Sequence, residues 1–210
     1  MHKTSARFLA VLVIWSLAAG CQTMALDGVP AESTKIWTSS IKVSPPAGFI
    51  PFCLKYLDQC TASDEEPETI RLDQATWGTL NAVNYTVNRN IRYRDDLDHY
   101  SQVEHWDIGA DGYGDCDDYA LAKRMALIEA GLPMRALRIA IVRTDKGIDH
   151  AVLTAATDRG DYVLDNRTSR ILPWEATSFT WIARQDALQP LSWISLRRNV
   201  VQQSSDGKES

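Results

Sequence analysis

Downstream of Asp73 the apolar residues Trp77, Leu80, Val83, Val87 and Ile91 fall three or four positions apart. That period predicts a helix with Asp73 as N-cap, ending near Ile91. A second stripe, Leu121, Met125 and Ile128, predicts a helix from about Cys116 to Ala130, with Gly131 as its C′ stop and Pro133 beyond. Between them RYRDDLDHYSQVEHWDIGADGYG is polar and contains glycine, so it reads as a long loop leading into Cys116. After Pro133 the period changes to two. ALRIAIV, HAVLTAAT and DYVLDN read as three short strands separated by TDKGID and a DRG turn. Helices followed by hairpin strands imply an α+β fold, a helical part packed on an antiparallel sheet, and not a parallel sheet.

The flanks are different in character. Residues 26–71 hold Pro30, Pro45, Pro46, Pro51 and Pro67 and the acidic stretch TASDEEPET, and read as an irregular N-terminal extension. Residues 72–198 form the predicted domain, and 199–210 a disordered polar tail. The first 25 residues pair a short basic segment, HKTSAR, with the apolar run FLAVLVIWSLAA, too short to span a bilayer comfortably, and so resemble a signal peptide. Thr23-Met24-Ala25 offers a cleavage site. The alternative is LAAGC, a lipobox-like ending with its leucine one place early, which would anchor the chain through lipidated Cys21. Either way the expectation is export, with a soluble periplasmic form as the first reading.

Composition narrows the class of function. A chain of 210 residues with 45% hydrophobic positions and a formal net charge of −5 can bury a sizeable core as one domain. Mild acidity and the lack of a Lys/Arg cluster argue against a nucleic-acid partner.

Export also changes how the four cysteines read. Cys53 and Cys60 lie seven positions apart in a compartment that permits disulfides, and no nearby His or Cys completes a metal site, so a bridge is expected. Cys116 then remains as a free thiol. It stands among Asp115, Asp117 and Asp118, whose charges oppose thiolate formation. Such a site makes sense where something positive offsets the acids.

Cys116 at a helix N-terminus, His150 opening a strand and Asp165 closing the next could supply a nucleophile, a base and an orienting acid. The Cys116 N–H could also donate to an oxyanion. Each residue has a plainer reading: packing for the cysteine, a strand-end surface position for His150, an Asx turn for Asp165. His99 and His105, in the loop before the helix, are equally open as the base on spacing alone. Strand parity adds a constraint. A four-residue loop, Thr157 to Gly160, pairs Ala156 with Asp161 and Val152 with Asp165, so that His150 shares Asp165's face one diagonal step away, and a working triad would require this register or a bulge of the same parity. A three-residue loop, Asp158 to Gly160, would put the two on opposite faces, and a two-residue loop would keep the parity but offset the pair by two steps.

The ordered set GDCDDYALAKRMALIEAGLP, LRIAIV, DHAVL and GDYVLDN, preceded by WGTLNAVNYTVNRNIRYRDD and EHWD, resembles the bacterial transglutaminase-like cysteine proteinase family, which includes LapG-type periplasmic proteases of biofilm adhesins. The likeness runs over roughly residues 72 to 195. It implies a papain-like or transglutaminase-like fold and an exported cysteine endopeptidase, with Cys116 as nucleophile, His150 as base and Asp165 as orienting acid. It also implies a Ca²⁺ ion held by Asp115 and Asp118 with Asp117 between them, and no organic cofactor. A bound Ca²⁺ would cancel the carboxylate field around the thiol. The plainer reading of the acids is a set of charges favoured at a helix start. An EF-hand counted from Asp107 fits worse, with Gly109 third and Asp118 twelfth. The implied partners are a protein substrate, a large adhesin among the relatives, and a membrane receptor that sequesters the enzyme. Transglutaminase-type acyl transfer and a non-catalytic peptide-binding module are the alternatives.

Overall fold

The computed structural model describes residues 28–197. The predicted signal peptide, Cys21 and the predicted tail lie outside the described residues. Among the described residues no helix is long and apolar enough to cross a membrane.

The two predicted helices form where the apolar period placed them. α2 (Gln74–Asn90) starts at Asp73, whose carboxylate accepts the Thr76 N–H at 2.9 Å. It follows α1 (Phe49–Lys55) and β1 (Lys42–Val43), which lie within the segment expected to be irregular. Pro51 is the third residue of α1, in the first turn, where the missing N–H has no intrahelical partner to lose. Phe49 and Phe52 are buried in the main core. Cys53 is disulfide-bonded to Cys60, with Cα atoms 5.5 Å apart.

The stretch expected to be one long loop is partly regular. It holds β2 (Arg92–Tyr93), α3 (Asp96–Tyr100) and β3 (Tyr113–Gly114), with β2 and β3 paired in parallel. α4 (Cys116–Glu129) follows directly. It ends in a Schellman motif: Gly131 N–H donates to Ile128 O at 2.9 Å and Leu132 N–H to Leu127 O at 3.0 Å, with Gly131 at φ +86°. Of the predicted stripe only Leu121 is fully buried, Met125 and Ile128 being partly exposed, while Tyr119, Ala120, Lys123, Arg124 and Leu127 are buried because α4 packs against both α2 and β5.

The remaining strands are β4 (Leu137–Arg143), β5 (Asp149–Thr157), β6 (Gly160–Leu164), β7 (Leu172–Pro173), β8 (Thr180–Gln185) and β9 (Trp193–Ser195). They form one antiparallel sheet with β1, in the order β1-β9-β8-β4-β5-β6-β7. Ile139, Ala151, Leu153 and Leu164 join the helices in the main core, whereas Ala140, Val142, Val152 and Val163 build a second cluster with Ile36, Trp181 and Leu196. Alternation along the strands separates the two sets onto the two sheet faces.

An extended N-terminal segment covers part of the second face. Ser33 N–H donates to Arg159 O at 2.8 Å, Asp161 N–H to Thr34 O at 3.0 Å, and Ile36 N–H to the Asp161 carboxylate at 3.0 Å. A Cβ on Gly160 would come 2.7 Å from Ser33, so this close approach requires glycine. The same Asp161 oxygen accepts from Arg184 at 2.8 Å, both side chains being buried.

Candidate active site

The turn into α4 is held by its own acids. Asp118, the third helical residue, accepts the Asp115 N–H at 3.1 Å on one oxygen and the Asp107 N–H at 2.7 Å on the other. The first bond is half of a capping box. A Cβ at Gly114 would lie 2.5 Å from the Asp118 carboxylate, so glycine is needed for this packing. Cys116 is thereby fixed as the first residue of the helix, where backbone N–H groups lack intrahelical partners.

The histidine and its acid come from the β5–β6 hairpin. Ala156 pairs with Asp161, the register expected for a working triad, but Thr157 also pairs with Gly160, so the connection is a two-residue turn, Asp158–Arg159, and not the expected four-residue loop. His150 and Asp165 then fall on one face, with His150 Nε2 2.9 Å from Asp165 Oδ1. Both are buried, and the Phe179 ring packs 5.9 Å from the imidazole. Asp165 also accepts the Arg167 N–H at 3.0 Å, and Arg167 Nε lies 3.6 Å from its other oxygen. Burial alone would raise the Asp165 pKa, but the His150 and Arg167 contacts outweigh it and hold the carboxyl below its ordinary value.

Cys116 Sγ accepts the Ala151 N–H at 3.4 Å, which sets the thiol beside the start of β5. Cys116 and His150 line one cleft of about 480 Å³, with Tyr93, Ile148, Asn166 and Arg167 around them. Because Nε2 is engaged by Asp165, Nδ1 is the ring nitrogen left for a proton from the thiol side. His99 and His105 do not line this cleft. His99 pairs with Asp111 at 2.8 Å, and His105 stacks on Tyr100 at 4.0 Å.

The acids around the thiol fall into two groups. Ligand oxygens of Asp96, Asp115 and Asp118 lie within 4.8 Å of one another, and so do ligand atoms of Asp115, Cys116 and Asp117. Asp96 is absent from the sequence-derived set. Its neighbour Asp95 caps α3 while Asp96 turns inward, a division of labour that DD alone does not reveal. Oδ1 of Asp96, Oδ1 of Asp115 and Oδ2 of Asp117 are buried without hydrogen-bond partners. Burial, then the neighbouring acids, raises Asp96 to about 6, Asp118 to about 8, and Asp117 well above its ordinary value. Burial, then Asp117 and Asp115, pushes the Cys116 thiol upward as well. Packed buried carboxylates with unspent oxygens suit a hard divalent cation. The EF-hand alternative does not hold, because Asp107 is spent on Tyr56 Oη and Lys55 Nζ, both at 2.6 Å.

A helix-borne thiol beside a histidine–carboxylate pair on antiparallel strands defines the class of papain-like and transglutaminase-like cysteine enzymes. Residues 39–201 match the bacterial transglutaminase-like cysteine proteinase family (BTLCP), and the chain belongs to it. It is a cysteine peptidase with a transglutaminase-like α+β fold. Solved structures of Legionella pneumophila LapG, one calcium-bound and one EGTA-treated, share that fold at 23% identity and a TM-score of 0.50. The calcium-bound match covers 61% of this chain and 74% of that one, and the EGTA-treated match 62% and 72%. No curated protein sequence matches the chain.

Proposed function

We propose that this peptidase is an exported, calcium-dependent endopeptidase that cleaves a protein through Cys116, His150 and Asp165. The observation that carries the reading is the His150–Asp165 pair at 2.9 Å in the cleft that Cys116 opens into. His150 Nδ1 accepts the thiol proton as Sγ attacks the substrate carbonyl. Asp165 holds the imidazole by Nε2 and stabilises its cationic form. The Cys116 backbone N–H donates to the developing oxyanion. His150 then returns the proton to the leaving amine, and water hydrolyses the thioester with His150 again as base.

Calcium would be held by Asp96, Asp115 and Asp118, with Asp117 beside them, and would supply positive charge that offsets the acids opposing the thiolate. This extends the sequence-derived ligand set by Asp96. The calcium-bound state of Legionella LapG supports calcium as the ion, and the cluster of buried acids supports the choice of residues. A large surface adhesin is the substrate class that follows from the family resemblance, with a sequestering membrane receptor as regulator. The location is the periplasm, in soluble form or anchored through Cys21.

The test is to incubate the mature protein with secreted surface proteins of the same cell, with calcium and with chelator. Defined fragments in calcium alone support the proposal. Amine-labelled or cross-linked product would move it to acyl transfer, and no reaction under either condition would leave a binding module.

A further inference from the structure

The acids beside Cys116 are gripped by a segment with no regular structure of its own. Residues 104–109 lie in neither helix nor strand. Within them the His105 N–H donates to Asp96 Oδ2, and the Asp107 N–H donates to Asp118 Oδ1 at 2.7 Å. Two amides, two positions apart, are therefore spent on two of the proposed calcium ligands. The other oxygen of Asp96 is buried without a partner. Bonds of this kind aim a carboxylate, and such outer partners tune metal affinity strongly.

What holds this segment comes from the N-terminal extension. Trp106 is buried against Phe49, and Asp107 is buried with its carboxylate accepting from Tyr56 Oη and Lys55 Nζ, both at 2.6 Å, and from the Ile108 N–H at 2.8 Å. The Lys55 head is more than half exposed, and an ion pair so open to water fixes little. Tyr56 is half-buried with its ring 5.0 Å from that of Phe52, and its bond to a buried carboxylate is the firmer one. Tyr56 is the C-cap of α1 and lies inside the short loop that the Cys53–Cys60 bridge closes, so its hydroxyl is presented from a braced element. A plain anchor for α1 would need only the Asp107 side chain. Here the amide of the same residue reaches Asp118.

We propose that Tyr56 is a positioning residue for the acid cluster: its hydroxyl fixes Asp107, whose amide then aims Asp118, so that the extension braced by the Cys53–Cys60 bridge sets how tightly the cluster holds calcium. The effect on calcium rests on the calcium site proposed above, whereas the effect on the Asp107 amide does not.

The experiment compares the mature wild-type protein with Tyr56→Phe, the double variant Cys53→Ser/Cys60→Ser, and Tyr162→Phe. Tyr56→Phe keeps the ring and the net charge and removes only the hydroxyl. Tyr162→Phe is its control, losing a hydroxyl whose partners are the carbonyls of Ala31 and Arg159. The first readout is hydrogen exchange of the Asp107 amide in chelator, followed by NMR, which should be about tenfold faster in Tyr56→Phe. The second is the calcium dissociation constant, from calorimetric titration of chelator-treated, dialysed protein with calcium chloride. Tyr56→Phe should bind about tenfold more weakly, the double serine variant should weaken in the same direction, and Tyr162→Phe should match wild type. Unchanged Asp107 exchange or unchanged calcium affinity in Tyr56→Phe overturns the proposal, and so does an equal loss in Tyr162→Phe, which would mark a general loosening. Failure of Tyr56→Phe to fold makes the hydroxyl a scaffold group and overturns it too. A folded double serine variant that binds as wild type does removes the bridge as brace. Faster Asp107 exchange in Tyr56→Phe beside a wild type that ignores calcium would sink the calcium site and leave Tyr56 as the anchor of the acid turn.

Discussion

His150 Nε2 lies 2.9 Å from Asp165 Oδ1 although fifteen positions separate them, because the hairpin between them turns in two residues. The pairing engages Nε2, which leaves Nδ1 as the ring nitrogen for the thiol proton in the proposed mechanism. Asp165→Asn keeps the shape but removes the negative charge and offers an amide that can hold the wrong tautomer. It should lower kcat by about 10²–10⁴-fold with a nearly unchanged fold, checked by steady-state kinetics alongside circular dichroism.

Cys116→Ala should abolish turnover and keep the melting temperature within a few degrees, since the side chain is small and only partly buried. His150→Ala should be about as severe, because the members of such a unit are strongly non-additive. Residual activity in purified Cys116→Ala would remove the thiol from the mechanism.

Calcium removal should act on stability with a definite pH dependence. Asp96 and Asp118 have folded-state pKa values of about 6 and about 8, above the unfolded value of 3.8. The native state therefore binds more protons than the unfolded chain between about pH 4 and 8, and cation-free stability should fall as pH rises through that window. Calcium at about 100 times its dissociation constant should restore about 2.7 kcal/mol, roughly 5–10 °C in a chain of this size. Asp96→Ala should abolish the calcium-dependent rise as fully as Asp118→Ala does. Thermal melts at pH 5 and pH 8, with calcium and with chelator, check all of this.

Gly114→Ala should reproduce the chelated state in part. The new methyl would sit 2.6 Å from the Asp118 Cβ, an atom too close to the backbone to swing away. We expect a loss of about 1–3 kcal/mol together with weaker calcium stabilisation, measured by calcium titration of the melting temperature.

In the oxidised mature protein one thiol should titrate, that of Cys116, and peptide mapping should recover Cys53 joined to Cys60. Reduction should destabilise by about 2–3 kcal/mol for a loop this short, read as a lowered urea midpoint.

The parts legible in the sequence are those written in local periods. α2, α4 and the three strands from Leu137 to Leu164 follow from spacing, whereas the hairpin register came from requiring His150 and Asp165 to share a face. α1 was hidden by its first-turn proline. β1, β7 and β9 have only two or three residues, too few to show a period. The burial of Lys123 and Arg124 was unreadable for a different reason: what covers them comes from elsewhere in the chain. Asp96 was missed in the same way, since its approach to Asp115 and Asp118 depends on how residues 92–114 fold back. Long-range closure leaves no mark on nearby spacing.

The segment at Ser33–Ile36 lies upstream of residue 39, where the family match begins. A chain trimmed to that boundary would unroof Val152 and Val163, take the Ile36 amide from Asp161, and free the hairpin tip at Arg159 from Ser33. Because the same hairpin presents His150 and Asp165, such trimming would loosen the machinery while leaving every catalytic candidate in place. For protein engineering, fusion partners belong before residue 28, and a shortened chain that proves inactive would report on its missing hem rather than on its chemistry.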